Sequence, residues 1–332
     1  MSTQFFLRSC QSFIFSSVGH GLWSRIPHPQ MNPPTPPSHI SLSSERVQSL
    51  ADLWTRISLS PASATESALR DLMEWIVREV DADNAIWVAA ARVQDTATAE
   101  EDPFFGWRLR VRLPLRPEPP SYQEILNRYY KPEHYGKLTP TFHLRSHANK
   151  IDHVGMTGRA SLAETGTFRA HSLRSGEWID FDAFRKTTHY KLYFQIPGIL
   201  DRMTIGLPVT ERCESFFMID RYRRKGKSPK RIFTREETSL AGFAARSVPA
   251  LHRRLLLGNG LLAGDKLFSP AEQRILSLLL DGRSEKEIAD AMGQKTPTTH
   301  KYVMTIYNRY GVKSRASLLA LWLGGSSRDS LP

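Results

Sequence analysis

The feature that most constrains this chain is a series of helix start and stop signals close to its C-terminal end. Ser269 followed by Pro270 predicts one helix start, because serine caps a first turn and proline suits the first helical position. Ser284 and Glu287 have the spacing of a capping box, and Gly293 permits a tight turn into a third helix. Helix, glycine turn and helix in this order predict a unit whose second helix enters the major groove of DNA.

The third helix is predicted to begin at Pro297 and Thr298 and to run through Tyr310, and a fourth begins near Ser314. Apolar residues recur along these helices at the spacing of a buried face. The predicted core of this region consists of Leu267, Ile275, Leu279, Ile288, Val303, Ile306, Tyr310 and Val312.

Several ordered motifs in this region point to one family. They are Phe268-Ser269-Pro270-x-Glu272, Gly282-x-Ser284-x-Lys286-Glu287-Ile288-Ala289, Met292-Gly293, Thr298, Ile306-Tyr307 and Gly311-Val312-x-Ser314-Arg315-Ala316-x-Leu318. Over about sixty residues the segment resembles the LuxR/GerE-type helix-turn-helix family, which implies an all-α four-helix DNA-binding domain. The sequence departs from the family pattern at Pro297, Thr299 and Tyr302, which leaves the individual base contacts open.

The resemblance implies roles for the third helix and its neighbours. His300, Lys301 and Met304 are expected to face base edges, and phosphate contacts are expected from Thr298, Tyr302, Asn308 and Arg315. For each residue the alternative is an ordinary solvated helix face, and for Tyr302 it is packing. With electrostatic support from two lysines, the predicted DNA-binding set is Lys286, Lys295, Thr298, Thr299, His300, Lys301, Tyr302, Met304, Asn308 and Arg315.

The charge of the chain agrees with a polyanionic partner. Its 45 basic and 33 acidic residues give a formal net charge of +12, and an excess of this size attracts nucleic acid or an anionic membrane surface. No apolar run is long enough to span a bilayer. Two distant cysteines, Cys10 and Cys213, give neither a disulfide framework nor a metal-ligand spacing. A cytoplasmic bacterial protein without cofactor or metal is expected.

The region before the helix-turn-helix unit groups its predicted strands, with helices on either side. This order predicts an α+β domain and resembles GAF- or PAS-like sensory domains in layout. Apolar and basic residues alternate in 107–113, which predicts a strand whose basic face is wet, and residues 131–180 show little periodicity. The other predictions are two helices from Ser44 to Val77, strands at 85–91, 202–209 and 214–222, and helices at 122–130, 182–194 and 234–257.

Aromatic residues between 178 and 193 suggest a candidate ligand pocket, although such residues more often form core. The residues are Trp178, Phe181, Phe184, Tyr190 and Tyr193. The histidines of this region, among them His171 and His189, match no metal-ligand spacing. The basic loop 223–231 is expected to be solvated.

The expected domain organisation has five parts. Residues 1–44 are expected to be disordered, or to be translated in part from a start codon placed too early, with Met31 as the alternative start. They are followed by a GAF/PAS-like sensory or dimerisation domain (45–257), a linker (258–265), the LuxR-type domain (266–325) and a tail (326–332).

These observations predict a sequence-specific, DNA-binding transcriptional regulator that acts as a homodimer on double-stranded DNA and responds to a small-molecule or protein signal. Two alternatives remain open. One is a sigma-like or partner-binding protein that contacts RNA polymerase. The other is an enzyme tethered to DNA, which is not expected because the sequence contains no nucleophile–base or metal constellation.

Overall fold

The fold was analysed from a computed structural model, which describes residues 42–93, 106–122, 124, 165–223, 231–264 and 266–324. A π-helix (Lys191–Gln195) and two 3-10 turns (Ala62–Ala64 and Leu261–Ala263) accompany the main elements. These elements are α1 (Ser44–Leu59), α2 (Thr65–Glu79), β1 (Asn84–Arg92), β2 (Trp107–Pro114), β3 (Arg169–Ser172), α3 (Phe181–Phe184), α4 (Thr188–Tyr190), β4 (Ile199–Thr210), β5 (Cys213–Tyr222), α5 (Arg235–Arg246), α6 (Pro249–Gly258), α7 (Pro270–Leu280), α8 (Glu285–Met292), α9 (Thr296–Tyr310) and α10 (Arg315–Trp322).

The five strands form one antiparallel sheet in the order β2-β1-β5-β4-β3. Helices α1, α2, α5 and α6 cover one face of this sheet, and their apolar side chains meet alternate residues of the central strands, such as Trp87, Ile205 and Phe217. Side chains alternate between the two faces of a strand, so the neighbouring residues Ile86, Val88 and Phe216 pack on the opposite face. The predicted α+β class of this region is therefore confirmed.

Strand β3 was missed by the sequence analysis, which left residues 131–180 without an assignment. The strand has four residues and, among the strands that the structure describes, pairs only with β4 at one edge of the sheet. A segment this short offers too few positions to show a period of two. The neighbouring segment 125–164 lies outside the described residues, as do most of the predicted helix 122–130, most of the basic loop 223–231 and the N-terminal 41 residues.

The expectation that the basic face of β2 is wet was wrong. Arg108 and Arg110 are 7% and 4% exposed, whereas Leu109 between them is 39% exposed. Arginine can be buried when its guanidinium finds acceptors or an aromatic face, and the Arg108 guanidinium donates to the backbone carbonyl of Trp107 at 2.7 Å. Alternation predicted the strand correctly, but both of its faces are largely covered, since Trp107 is also buried and Val111 and Leu113 pack against the main core.

Two helices predicted as continuous are broken. The helix that begins after Thr234 ends at Arg246, and a second one begins at Pro249, because proline lacks the N–H that a continuing helix requires. The predicted helix 182–194 consists of α3, α4 and the π-helix, with the Thr187 side chain capping the second of them. A proline in the first place and a side-chain cap in the second override the helical period.

A buried polar chain joins the sheet to α6. The Trp87 indole N–H donates to the Ser215 hydroxyl at 2.6 Å, and the Ser215 oxygen lies 3.0 Å from His252 Nδ1. His252 Nε2 lies 2.8 Å from the Ala245 carbonyl, which can only accept. These partners require the neutral tautomer with the proton on Nε2. Burial lowers the pKa of His252 to about 4, even though the Ala245 carbonyl opposes the shift.

The folded-state pKa of His252 lies below the ordinary value of about 6.5, so stability should fall as the pH drops from about 6.5 towards 4. In that window the His252 imidazole binds a proton in the unfolded chain but stays neutral in the folded chain. The contribution of this one group should approach about 1.4 kcal/mol per pH unit in the middle of the window. Urea unfolding at pH 7.5, 6.5, 5.5 and 4.5 measures it.

The matched variant is His252→Gln, which does not titrate and whose amide can still donate to the Ala245 carbonyl. Its unfolding free energy should depend less steeply on pH than that of the wild type. Both proteins contain the other histidines, so the difference between the two slopes reports on His252 alone. Equal pH dependence of the two proteins would show that His252 is not held neutral by the fold.

Candidate nucleic-acid interface

The last four helices form the candidate interface, and capping boxes fix where two of them begin. Ser269 accepts from the backbone N–H of Glu272, whose carboxylate accepts from the Ser269 N–H, and Ser284 and Glu287 repeat this pattern at α8. Such capping boxes satisfy donors that helix geometry leaves unpaired. The predicted boundaries of α7 and α8 are therefore confirmed by the hydrogen bonds that produce them.

The turn between α8 and α9 depends on Gly293, which has a φ of 63°. This left-handed conformation is costly for residues that carry a Cβ. The turn brings the small residue Ala289, 2% exposed, against α9, where Val303 and Ile306 are also buried. Seven of the eight predicted core residues of this domain are buried, and Leu267 is half-buried. The helix-turn-helix arrangement predicted from the sequence is present.

One face of α9 points to solvent and carries most of the predicted contacts. Lys301 and Thr298 lie on this face, as does Met304, which is 42% exposed although it is apolar. Residues three and four apart share a helix face, so these three side chains form a continuous strip. The predicted residues with exposed side chains are Lys286, Lys295, Thr298, His300, Lys301, Met304 and Asn308.

Thr299 does not belong to this face, and its inclusion in the predicted DNA-binding set is corrected. Its side chain is fully buried and its hydroxyl accepts a hydrogen bond of 2.7 Å from the Gln294 side chain. A residue next to an exposed one on a helix is turned away by about 100°. Thr299 therefore holds the turn that leads into α9, and its side chain is not available to a partner.

Two further predicted residues have partners within the domain. His300 Nδ1 lies 3.1 Å from a carboxylate oxygen of Glu285 on α8, which orients the imidazole ring. The Arg315 guanidinium donates to the carbonyls of Gly282 and Arg283 in the turn after α7. Sequence reasoning missed Glu285 as the partner of His300 because they are fifteen positions apart.

Tyr302 is half-buried and packs against the core of this domain together with Tyr307. This position agrees with the packing alternative considered for it. The hydroxyl of a half-buried tyrosine can still reach solvent, so its ring supports the helix while a polar tip stays available.

The five aromatic residues predicted as a pocket lie together on the opposite face of the sheet from α6. Phe184 and Tyr190 have ring centroids 5.6 Å apart, and Phe181 lies 5.8 Å from Tyr190. Trp178 and Tyr193 belong to the same cluster. The rings meet mostly edge to face, as aromatic side chains prefer.

The sequence analysis missed the charged groups beside this cluster. Arg202 forms a two-pronged pair with Asp220, at 2.6 and 2.7 Å, and its guanidinium lies 5.1 Å from the centre of the Phe194 ring. Residues 202 and 220 are paired across β4 and β5, and this cross-strand register was the only signal that could have joined them. Burial alone would lower the pKa of Arg202, but the neighbouring Asp220 raises it, so the guanidinium stays charged.

The indole N–H of Trp178 is a buried donor without a hydrogen-bond partner among the residues that the structure describes. The Trp178 ring stacks on that of His171 with a centroid distance of 5.6 Å. A buried donor that makes no hydrogen bond costs free energy. The Trp178 N–H is therefore the atom of this cluster at which an acceptor group would be most favourable.

The described ranges contain no group of three or more histidine, cysteine or acidic side chains arranged to hold a metal. Within the same part of the chain, no helix is both long and apolar enough to cross a membrane.

Comparison with known proteins identifies the C-terminal segment. Residues 266–321 match the family described as bacterial regulatory proteins, luxR family. Over 92 residues the chain is 36% identical to the probable HTH-type transcriptional regulator GfsR of Streptomyces halstedii. This match covers 26% of the chain and 38% of that protein's length. The resemblance of the C-terminal domain to the LuxR/GerE type is thereby confirmed, and this domain is of the kind found in DNA-binding transcriptional regulators.

Two solved structures are more distantly similar to the whole chain. SdiA in complex with octanoyl-rac-glycerol has a TM-score of 0.36 at 12% identity, covering 85% of this chain and 96% of that one. Escherichia coli SdiA in the space group P6522 has a TM-score of 0.35 at 12% identity, covering 83% of this chain and 95% of that one. A similarity this low does not assign the N-terminal domain to a family, and the GAF/PAS-like resemblance is not confirmed.

Substitution of two neighbouring threonines by valine should separate the buried from the exposed face of α9. Thr299→Val removes the acceptor of the Gln294 amide and should lower the free energy of unfolding by about 1 kcal/mol. Thr298→Val, its matched control, should leave stability unchanged and weaken DNA binding, because this exposed side chain is a predicted phosphate contact. Urea unfolding and a fluorescence DNA-binding assay measure the two effects. A stable Thr299→Val protein with impaired DNA binding would contradict the assignment.

Proposed function

We propose that the protein is a sequence-specific, DNA-binding transcriptional regulator whose α9 is the recognition helix. The observation that carries this proposal is the exposed strip of Thr298, Lys301 and Met304 on a helix whose opposite face is buried. A helix presented in this way fits the major groove of B-DNA, where side chains read base edges. The luxR-family match of residues 266–321 supports the same reading.

Within this proposal the exposed residues divide by role. Lys301, His300 and Met304 face base edges, and the lysine is suited to guanine acceptors. The carboxylate of Glu285 orients the His300 ring at 3.1 Å. Phosphate contacts come from Thr298 and Asn308, with the Tyr302 hydroxyl in reach, and Lys286 and Lys295 supply general attraction.

Arg315 takes a different role from the one first expected. Its guanidinium already donates to two backbone carbonyls, those of Gly282 and Arg283. We therefore assign it to positioning of α10 against the turn after α7, and any phosphate contact would use its remaining donors.

We also propose that the protein acts as a homodimer, because one short recognition helix reads too few base pairs to select a genomic site. The proposed location is the cytoplasm. Two copies would read paired half-sites related by a two-fold axis. The N-terminal α+β domain, residues 45–257 with the segment 258–265 as its connection, would supply the signal input in the manner of GAF- or PAS-like domains.

The aromatic cluster of Trp178, Phe181, Phe184, Tyr190 and Tyr193 is the proposed effector site. Its apolar rings, the adjacent Arg202–Asp220 pair and the unpaired Trp178 N–H form the combination of apolar lining and few polar groups typical of small-molecule sites. The ligand class that fits is a small apolar molecule with a hydrogen-bond acceptor for the indole.

Replacement of Lys301 by alanine should weaken sequence-specific DNA binding. Loss of one base contact should cost about 1–3 kcal/mol at the cognate site, whereas the affinity for non-specific DNA should change little. Selection of fragmented genomic DNA on the purified protein, followed by sequencing, gives the recurrent motif, and fluorescence anisotropy gives the affinities.

The matched control is Lys186→Ala, which removes one exposed lysine from the N-terminal domain. It should retain both the motif and the affinity within the small effect of one unit of net charge. If wild type yields no motif, or if the two lysine variants behave alike, the positive charge acts non-specifically and contact with RNA polymerase becomes the better reading.

Replacement of Trp178 by phenylalanine should abolish effector binding without unfolding the domain. The ring and its stacking on His171 are largely kept, while the unpaired N–H is removed. Thermal unfolding in the presence of small apolar carbonyl compounds should show ligands that raise the Tm of the wild type and raise that of Trp178→Phe much less. Equal shifts in both proteins would place the ligand elsewhere.

A further inference from the structure

A carboxylate of the helix-turn-helix domain caps a helix of the N-terminal domain. Asp281, which follows α7, accepts hydrogen bonds from the backbone N–H of Ala62 at 2.7 Å and of Ser63 at 3.2 Å. These two N–H groups begin the 3-10 turn that leads directly into α2. The contact joins positions 218 and 219 residues apart in the chain, so only the docking of the two regions produces it.

The helical segment that begins at Ala62 lacks a cap of its own. Pro61 and Ala64, which precede the 3-10 turn and α2, make no side-chain capping hydrogen bond. The first N–H groups of a helix have no partner within it and carry partial positive charge. The Asp281 carboxylate therefore meets a requirement that the local sequence leaves open.

Asp281 is poorly suited to its own helix. It stands at the C-cap of α7, where the last carbonyl groups carry partial negative charge and a basic residue is preferred. In an isolated helix-turn-helix domain this carboxylate would be unfavourable. In the docked chain it lies at the positive end of another helix. The contact thus offsets both the missing cap at Ala62 and the unfavourable position of the carboxylate on α7.

Contacts from α6 extend the same interface. The Arg253 guanidinium donates to the Leu321 carbonyl at 3.1 Å, and the Arg254 guanidinium lies 5.0 Å from the centre of the Trp322 ring. The hydroxyl of Tyr310 at the end of α9 donates to the Leu257 carbonyl. The helix-turn-helix domain is thus held at Asp281, at the end of α10 and at the end of its recognition helix.

This docking leaves the recognition face free. Thr298, Lys301 and Met304 are exposed while Asp281 is engaged, so the contact does not block DNA. It restricts the orientation of α9 relative to the N-terminal domain instead.

We propose that Asp281 is a clasp that fixes the orientation of the helix-turn-helix domain on the N-terminal domain, and thereby the spacing at which two copies present their recognition helices. The spacing role rests on the proposed function, whereas the clasp itself does not. Because a fixed orientation lowers the entropy lost on binding, the clasp favours operators with one half-site spacing. A change in the N-terminal domain that moves α2 would release it.

The clasp is tested on the full chain by hydrogen exchange, without DNA. Asp281→Ala should accelerate amide exchange at Ala62 and Ser63 by about fivefold or more, as expected for loss of a cap. Asp281→Asn, which keeps an acceptor but loses the charge, should give a smaller increase. Asp290→Ala removes an exposed acidic residue of α8 and is the matched control; it should leave both amides unchanged. Unchanged exchange in Asp281→Ala would overturn the clasp.

The spacing role is tested with duplexes that carry the selected motif once or twice. Removal of a negative charge should by itself strengthen DNA binding, and Asp290→Ala should show this effect on both duplexes. Asp281→Ala should instead bind the paired site about fivefold more weakly than Asp290→Ala, while binding the single site equally well. Equal affinity of the two variants for the paired site would overturn the spacing role. If the wild type selects no motif, the proposed function and the spacing role both fail, and exchange at Ala62 and Ser63 still decides the clasp.

Discussion

Helix α6 contributes to two hydrophobic cores, and the arrangement of the described chain depends on this. Leu251, Leu255 and Leu256 pack in the core between the sheet and its helices, whereas Leu257 belongs to the core of the last four helices. Full burial of one leucine contributes about 1.5–3 kcal/mol. Because neighbouring residues of one rigid helix serve both cores, the helix-turn-helix domain is oriented by the same packing that covers the sheet.

Two buried ion pairs lie on the face of the sheet opposite its four covering helices. Arg202 with Asp220 and Arg169 with Glu214 form close pairs across the strands. A buried pair gains little net stability over apolar residues but is strongly destabilising when one partner is lost. Gly206 makes room for the second pair, because a Cβ there would lie 2.6 Å from the Arg169 guanidinium carbon. These pairs therefore fix strand register, and the Arg202–Asp220 pair forms a charged boundary beside the aromatic cluster.

Short contacts join the sheet to the helix-turn-helix domain. The sheet is joined to α6 by the Trp87–Ser215–His252 chain, and α6 contacts the helix-turn-helix domain through Arg253 and Leu257. Asp281 adds a second connection, to the start of α2. Both connections end in the N-terminal core, so a rearrangement there has two routes to the orientation of α9.

The sequence by itself determined the helix-turn-helix domain, because its signals are local. Ser269, Ser284 and Gly293 act within one helical turn, and apolar residues at a period of 3.6 define the buried face of each helix. The exposed strip on α9 was expected from the family resemblance rather than from this pattern. Thr299 was misassigned although it lies four residues before Val303 and seven before Ile306, on the same buried face. Its polar side chain suggested an exposed position, but the Gln294 amide satisfies its hydroxyl inside the domain.

Tertiary structure alone decided the faces of β2, the edge strand β3 and the partners of the buried charges. An alternating pattern shows that a strand has two different faces, but it cannot say which face meets the rest of the protein. The burial of Arg108 and Arg110 therefore became visible only in the structure. Asp281 and Ala62 are both unremarkable in the sequence, and each has an unfavourable local setting that becomes favourable only when the two helices meet. Interactions between residues far apart in the chain leave no periodic trace, since their energy depends on distance in space rather than on spacing in sequence.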